Sequence, residues 1–263
     1  MSDAPPSSED QLFTVVFAPG ETRPALRCAP QSDPARLLAF LGLEIPRPAI
    51  CLSGGAGAMS EEELARTRQV VEEGLVSFAQ EEGCLVIDGG TDSGVMQMLG
   101  DARRRSGATF PLLGVAPAGR VRFPGHELPD ADAQLHAGHS HFVLVNANEW
   151  GDESQMIIEL TRAAAAGVRP MLGVLINGGK IAQKDVWLAT AQGERRIPVV
   201  VLEGSGRAAD EVARATRTGQ SDSDVVKAIV DGGEIHVASL RKGPEGLRSI
   251  LRTVFRQHGH ARG

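Results

Sequence analysis

The sequence is poor in cysteine, in excess positive charge and in long apolar runs, and each shortage narrows what the chain can be. Its three cysteines, Cys28, Cys51 and Cys84, are odd in number, scattered and free of any Cys-x-x-Cys pair. That pattern fits a reducing cytoplasm and leaves no disulfide framework and no zinc knuckle. Cys51 and Cys84 fall inside apolar runs and read as small core residues rather than nucleophiles. The net charge of −6 over 263 residues argues against a general nucleic-acid or anionic-membrane surface, while leaving room for a local basic pocket. No apolar run approaches the roughly 20 residues that span a bilayer. The start, "MSDAPPSSED", has neither a basic residue nor an apolar segment, so residues 1–10 read as a disordered lead rather than a signal peptide. Nucleophile and metalloprotease signatures are absent too: there is no Ser-His-Asp spacing, no Gly-x-Ser-x-Gly and no His-Glu-x-x-His. A soluble cytoplasmic protein with no required cofactor is expected.

Glycine, by contrast, is abundant, with 31 residues, so backbone turns carry unusual weight. Apolar runs of strand length recur: "QLFTVVF", "AICLS", "CLVID", "PLLGVAP", "HFVLVNA", "MLGVLIN", "PVVVLEG" and "EIHVASL". Most are continuous rather than alternating, as strands buried on both faces of a parallel sheet should be. Amphipathic helices fall between them. Residues 60–82 open with Ser60 and Glu63 at capping-box spacing and place Leu64, Val71, Leu75 and Phe78 on one stripe. Further helices are predicted near 33–41, 94–106, 153–167, 181–192, 206–217, 222–231 and 244–257. This alternation predicts an α/β fold, a Rossmann-like, doubly wound, mostly parallel sheet flanked by helices. No composition break divides residues 11–257, which read as one domain followed by a flexible tail over 258–263. Segment 117–140 is too long for a plain connection and is a candidate functional loop.

Four strands end with one grammar. They are Ser53-Gly54-Gly55, Asp88-Gly89-Gly90, Asn177-Gly178-Gly179 and Glu203-Gly204-Ser205-Gly206. Each sets a short polar or acidic side chain before glycines where a strand hands over to a helix. In a parallel sheet all carboxyl ends lie along one edge, where ligands bind. Glycines let backbone approach a ligand closely, and free N–H groups at helix N-termini attract anions. One such turn is equally well a steric device; four on one edge point to a phosphate-bearing ligand. Named fingerprints do not fit: Gly89-Gly90-x-x-x-Gly94 is not Gly-x-Gly-x-x-Gly, and before Gly179-Lys180 a P-loop's first glycine is replaced by Val174. Arg207 follows Gly206 in the first turn of a predicted helix, where a cation opposes the dipole unless a bound anion reverses the balance. Asp88 and Glu203 would sit nearby and accept hydrogen bonds from ribose hydroxyls.

Other clusters admit two readings each. His136, His139 and His141 lie close in sequence to Asp130 and Asp132, which suits either a metal site or loop capping, and no metal site is assigned. Trp150 precedes a helix start and suits base stacking or ordinary packing. Arg120 and Arg122 could reach a phosphate or face solvent. His258 and His260 fall in the polar tail.

The segments "CLSGGAGAM", "VIDGGTDSGVM", "LLGVAPAG", "HSHFVLVNANEWGDES" and "IPVVVLEGSGRAAD" occur in that order. Together they resemble the SLOG superfamily, specifically the prokaryotic, LSDAT-like relatives of the N-terminal region of melastatin-type TRP channels. The likeness covers roughly residues 45–215. It implies a Rossmann-like fold and a nucleotide-sensing domain for ADP-ribose or another NAD-derived nucleotide. The implied phosphate binders are Gly89, Gly90, Thr91 and Gly94 with Gly204, Ser205, Gly206 and Arg207, and the turn Ser53–Gly57, with Gly54, Gly55 and Gly57, should line the same pocket. Asp92, Ser93, Asn177 and Gly178 complete the candidate set. The superfamily also holds cytokinin-activating phosphoribohydrolases with a Pro-Gly-Gly-x-Gly-Thr-x-x-Glu motif. This chain has "EWGDESQMIIEL" there, with Gln155 four residues after Gly151, so only Glu153 or Glu159 could substitute.

Three functions therefore compete: a sensor that binds a nucleotide without turnover, a nucleotide N-glycosidase or phosphoribohydrolase using Glu153 or Glu159, and a structural subunit whose glycine turns serve packing. A sensor with no channel segment after it is expected to act through an effector partner or by homo-oligomerising. Neither nucleic acid nor membrane is an expected partner.

Overall fold

The computed structural model describes residues 10–129, 131–191 and 195–259. The lead over residues 1–9, Asp130, and His260 with the rest of the tail fall outside the described residues. The chain opens with an antiparallel hairpin, β1 (Gln11–Ala18) and β2 (Glu21–Cys28), then a short helix α1 (Pro34–Phe40) capped by Asp33. Next come β3 (Ala49–Gly54), α2 (Glu61–Gln69), a π-helical stretch Val70–Val76, α3 (Ser77–Glu82), β4 (Leu85–Asp88), α4 (Gly94–Ser106) and β5 (Leu112–Pro117). A small two-stranded ladder, β6 (Val121–Arg122) and β7 (Ala133–Gln134), precedes β8 (His141–Val145) and α5 (Ser154–Ala165). The last part holds β9 (Met171–Ile176), α6 (Lys180–Ala191), β10 (Val199–Glu203), α7 (Arg207–Thr218), α8 (Asp224–Gly232), β11 (Ile235–Ser239) and α9 (Gly243–Gly259).

Nine strands form one sheet in the order β1-β2-β8-β5-β4-β3-β9-β10-β11, parallel throughout except at the β1–β2 pair. The topology has one consequence for the site. From β3 the chain winds outward through β4, β5 and β8, then returns over the sheet by α5 to lay β9 on the free side of β3. The winding direction reverses between β3 and β9, and a crevice opens at the carboxyl ends of strands wherever that happens in an open α/β sheet.

Both faces are covered, so the central strands are apolar without alternation. One core layer packs α1, α5, α6, α7 and α8 on Leu85, Ile87, Val143, Leu175 and Val201. The other packs α4, α9 and the α2–α3 segment on Ile50, Val86, Leu172, Val174 and Val200. A third cluster, around Val15, Val121, Phe123, Leu135 and Phe142, seats the long loop against the hairpin side of the sheet. No helix among the described residues is long and apolar enough to cross a membrane.

All eight apolar runs are strands, and helix α4 spans 94–106 as its sequence pattern predicts. Ser60 and Glu63 form the expected capping box, and Val71, Leu75 and Phe78 are buried. The predicted helix 60–82 differs in detail, because its middle seven residues adopt π-helical hydrogen bonding. Strand β2, "ETRPALRC", had no signal: Pro24 and two arginines mask a strand that only half faces the core. Helix α9 extends to Gly259, so His258 lies within it and pairs with Glu234 at 3.1 Å instead of joining a polar tail.

Candidate functional site

A pocket of about 490 Å³ opens at the β3–β9 switch. Its walls come from six chain segments that the topology brings together: the turns after β3 and β4, the loop carrying β7, the segment from Trp150 into α5, and the starts of α6 and α7. Of the sequence-predicted residues, Ser53, Gly54, Gly55, Gly89, Thr91, Ser93, Glu153 and Arg207 line it. Gly54 cannot carry a side chain here, because a methyl group would collide with the carbonyl oxygen of Ile176 on the neighbouring strand.

Arg207 is the first residue of α7 and is exposed, with φ at 50°, in the left-handed region that an arginine seldom enters. Its guanidinium lies over two glycines from different turns. Nη1 is 2.9 Å from where a Cβ on Gly57 would stand, and Nη2 is 2.8 Å from the same point on Gly179. Neither Arg207 nor Lys180, the first residue of α6, has an ion-pair partner among the described residues. Two cations thus stand unpaired at helix N-termini, where the dipole disfavours them, which is the arrangement that an anion would stabilise.

The remaining predicted residues do other work. Asn177 and Ser205 tie the turns together beneath the pocket. The amide N–H of Asn177 donates to Ser205 Oγ (2.7 Å), and its Nδ2 donates to the carbonyls of Ser205 (2.7 Å) and Gly57 (3.1 Å). The N–H of Gly178 is taken by Asn177 Oδ1, and that of Gly204 by Asp210 Oδ1 (2.6 Å). Gly206 supplies a second positive φ just before Arg207, while Gly90 and Gly94 shape the β4 turn. Asp92 holds Gln97 on the exposed side of that turn.

Neither proposed ribose acceptor reaches the pocket. Asp88 is wholly buried; its Oδ1 accepts from the Gly90 N–H (2.8 Å) and is bonded to His139 Nε2 (2.7 Å). Glu203 pairs with Arg217 at 2.5 Å. Glu159 lies on the exposed side of α5, bonded by Gln155 and near Arg162. Arg120 is held by Asp132, Glu149 and the carbonyl of Asn148, and Arg122 by the carbonyl of Ala131, so the loop arginines brace the loop rather than line the pocket. Trp150 does line it, with Nε1 donating to Asp132 Oδ2 at 2.9 Å.

Two acidic groups on the pocket wall are buried. Glu153, just before α5, accepts the Gly151 N–H at 2.7 Å. Burial pushes its carboxyl up to about 7, with Asp185 adding to the rise and the backbone hydrogen bonds opposing it. Asp185, on α6, is also pushed up by burial, tempered by the nearby hydroxyls of Ser154 and Ser53. Asp185 Oδ1 and Ser154 Oγ are both sealed from solvent, so that oxygen of the carboxyl meets the neighbouring hydroxyls rather than the open pocket. Sequence reading missed Asp185, although a signal was there: the carboxylate stands beside the buried stripe Ala182, Val186 and Ala189 of α6. Met96, Ile157, Ile181 and Trp150 give the pocket an apolar side.

The histidines gather on the opposite flank of the β4 turn, with His136 Nε2 at 3.3 Å from Asp101 and 3.8 Å from Asp92. No group of three or more His, Cys, Asp or Glu among the described residues could hold a metal ion. The cysteines are free and buried, and burial raises Cys28 and Cys51 to about 12 and raises Cys84 as well, so all three stay protonated thiols.

A family model described as SLOG in TRPM, prokaryote, matches residues 47–248, which include every pocket-lining residue. Among curated proteins, the mouse transient receptor potential cation channel subfamily M member 2 is 29% identical over 209 residues, covering 66% of this chain and 14% of that channel. The member-like 2 protein of Nematostella vectensis is 27% identical, covering 90% and 17% respectively. Rat subfamily M member 7 is 30% identical, covering 65% and 11%. The chain therefore spans only a small part of each relative's length. With its Rossmann-like sheet and its match over most of its length, the chain belongs to the prokaryotic family of SLOG domains related to TRPM channels.

Proposed function

We propose that the chain is a nucleotide sensor that binds ADP-ribose or another NAD-derived nucleotide in the pocket at the β3–β9 switch and releases it unchanged. One observation carries this reading: Arg207 is strained, unpaired and spread over the glycines of two converging turns at the pocket rim. A pyrophosphate there would receive charge-assisted hydrogen bonds from the guanidinium, with Lys180 and the helix N-termini adding to the field. The apolar side formed by Met96, Ile157, Ile181 and Trp150 suits a base. Signalling would pass to an effector partner or through self-association. Calorimetry with ADP-ribose, NAD, cyclic ADP-ribose and AMP tests the reading. Saturable heat that Arg207→Ala abolishes supports it; no heat with any of the four removes it.

A second reading, hydrolysis of a nucleotide N-glycosidic bond, is favoured by Glu153, a pocket carboxyl raised to about 7, as a general acid must be. Its position differs from the glutamate of the hydrolase motif, since Gln155 stands there. Release of free base from AMP or NAD that Glu153→Gln abolishes would establish this activity. Binding without release leaves the sensor.

A further inference from the structure

The two outermost strands of the sheet are finished differently. β11 carries His236, paired with Glu234 at 2.8 Å, and charged side chains of this kind discourage pairing with another chain. β1, "QLFTVVFA", holds no charged residue, no proline and no glycine, and no strand pairs with its outer edge among the described residues. Its row of outward backbone N–H and C=O groups is therefore a template for a further strand. Side chains alternate across it. Val15 is buried, with Phe13 and Phe17 beside it on the core that seats the long loop, while Leu12, Thr14 and Val16 stand on the other face. Leu12 and Val16 are 57% and 48% exposed. The hairpin lies outside residues 47–248, so the family match does not account for this edge.

We propose that β1 is a homodimer edge: two copies of the chain pair their β1 strands antiparallel about a two-fold axis at Thr14, joining two nine-stranded sheets into one. Such pairing gives the self-association of the sensor reading a surface, and it needs no bound nucleotide. A second copy is the occupant that the strand itself specifies. Pairing about Thr14 sets Leu12 of each copy against Val16 of the other and Thr14 against itself; on the opposite face it sets Phe13 against Val15. Apolar residues then meet apolar residues and threonine meets threonine, which are favourable cross-strand pairs. A centre at Phe13 would instead oppose Val16 to Asp10, and a centre at Val15 would run the ladder across the irregularity between Val16 and Ala18. An uncharged strand also offers nothing to select an acidic or a basic partner. β1 on β1 closes as a two-fold pair, whereas β1 on β11 would be a head-to-tail contact open to further addition. An edge of eight residues runs about 27 Å, so the paired area is small for a dimer and association should depend on protein concentration.

Sedimentation equilibrium of the nucleotide-free protein should show a monomer–dimer equilibrium that shifts to dimer as concentration rises. Thr14 is exposed, and Thr14→Lys and Thr14→Glu each set like charges opposite one another across the axis. Each should weaken the dimer at least roughly tenfold. An equimolar mixture of the two should recover it, because lysine then faces glutamate. Circular dichroism checks that each variant keeps the fold. If either unfolds, Thr14→Cys decides: paired strands hold opposite Cα atoms about 4.5–5.5 Å apart, within reach of a disulfide. Mild oxidation should then give a covalent dimer of Thr14→Cys and none of the wild type, whose three cysteines are buried. A monomer at every concentration overturns the edge, as does a dimer that both charged variants leave intact. Weakening without recovery in the mixture, or no covalent dimer from Thr14→Cys, overturns the pairing about Thr14. None of these outcomes bears on nucleotide binding, which calorimetry reads separately.

Discussion

The two edges of the sheet hold cavities of similar size, and both carry cations, but the cations face opposite ends of the helices. At the amino edge, a cleft of about 580 Å³ is lined by Arg47, Arg169, Arg252 and Arg256, beside a smaller one with Arg195, Arg196 and His258. Arg169, Arg195 and Arg196 follow the ends of α5 and α6, and Arg256 and His258 lie in the last turn of α9, so they complement the negative ends of helix dipoles, while Arg252 pairs with Glu81 and Glu245. Arg196, for example, donates to the carbonyl of Gly232 at 2.6 Å, the last residue of α8. At the carboxyl edge, Arg207 and Lys180 stand where α7 and α6 begin. There the same charge opposes the dipole, and Arg207 adds a strained backbone. Cations at the amino edge answer to the fold; Arg207 and Lys180 at the carboxyl edge have no ion-pair partner among the described residues. The number of arginines thus says less about function than the helix end they face.

The comparison predicts a graded set of outcomes. The largest concerns backbone approach at the carboxyl edge. Gly54→Ala should cost about 3 kcal/mol, because the methyl group meets the Ile176 carbonyl and neither strand can yield. Urea unfolding monitored by circular dichroism measures it, and a change near zero would show that the turn is loose. Next comes the buried carboxyl. Glu153 titrates near 4.5 unfolded but about 7 folded, so its neutral form is what the fold prefers. The stability it contributes is fully present below pH 4.5 and is lost as pH rises toward about 7. Glu153→Gln should therefore exceed the wild type by up to about 3 kcal/mol near pH 8 and match it in acid. Unfolding curves across that range would contradict the assignment if the difference stayed constant.

Arg207 gives a smaller and more diagnostic effect. Arg207→Gly should raise the stability of the unliganded protein by about 1 kcal/mol, by relieving the positive φ and removing a cation from a helix N-terminus. Differential scanning calorimetry checks this, and a lower melting temperature would mean that the guanidinium has a partner in the fold. The smallest effect belongs to the amino edge: Arg196→Ala should lower stability by about 0.3–1 kcal/mol and leave nucleotide affinity untouched.

Most of the fold was legible in the sequence because continuous apolar runs and capped amphipathic helices report burial directly. The hairpin strand β2 was not, since Pro24 and alternating polar residues describe a strand covered on one side only. The site was legible at the level of turns. Glycines report where backbone must approach something, and they pointed to the carboxyl edge. They could not say which polar neighbour faces the ligand, because that depends on contacts distant in sequence. Asp88 is drawn into the core by His139, which is 51 residues away. Asn177 is turned beneath the pocket by Ser205. Asp185 enters the pocket because the reversal at β3–β9 aims α6 across the crevice, and no local pattern shows a reversal.

The most direct measurement is a crystal structure of the protein grown with ADP-ribose. The pyrophosphate is expected within hydrogen-bond distance of Arg207, between the turns that carry Gly57 and Gly179. Ligand density in the arginine cleft at the amino edge, with the switch-point pocket empty, would contradict it.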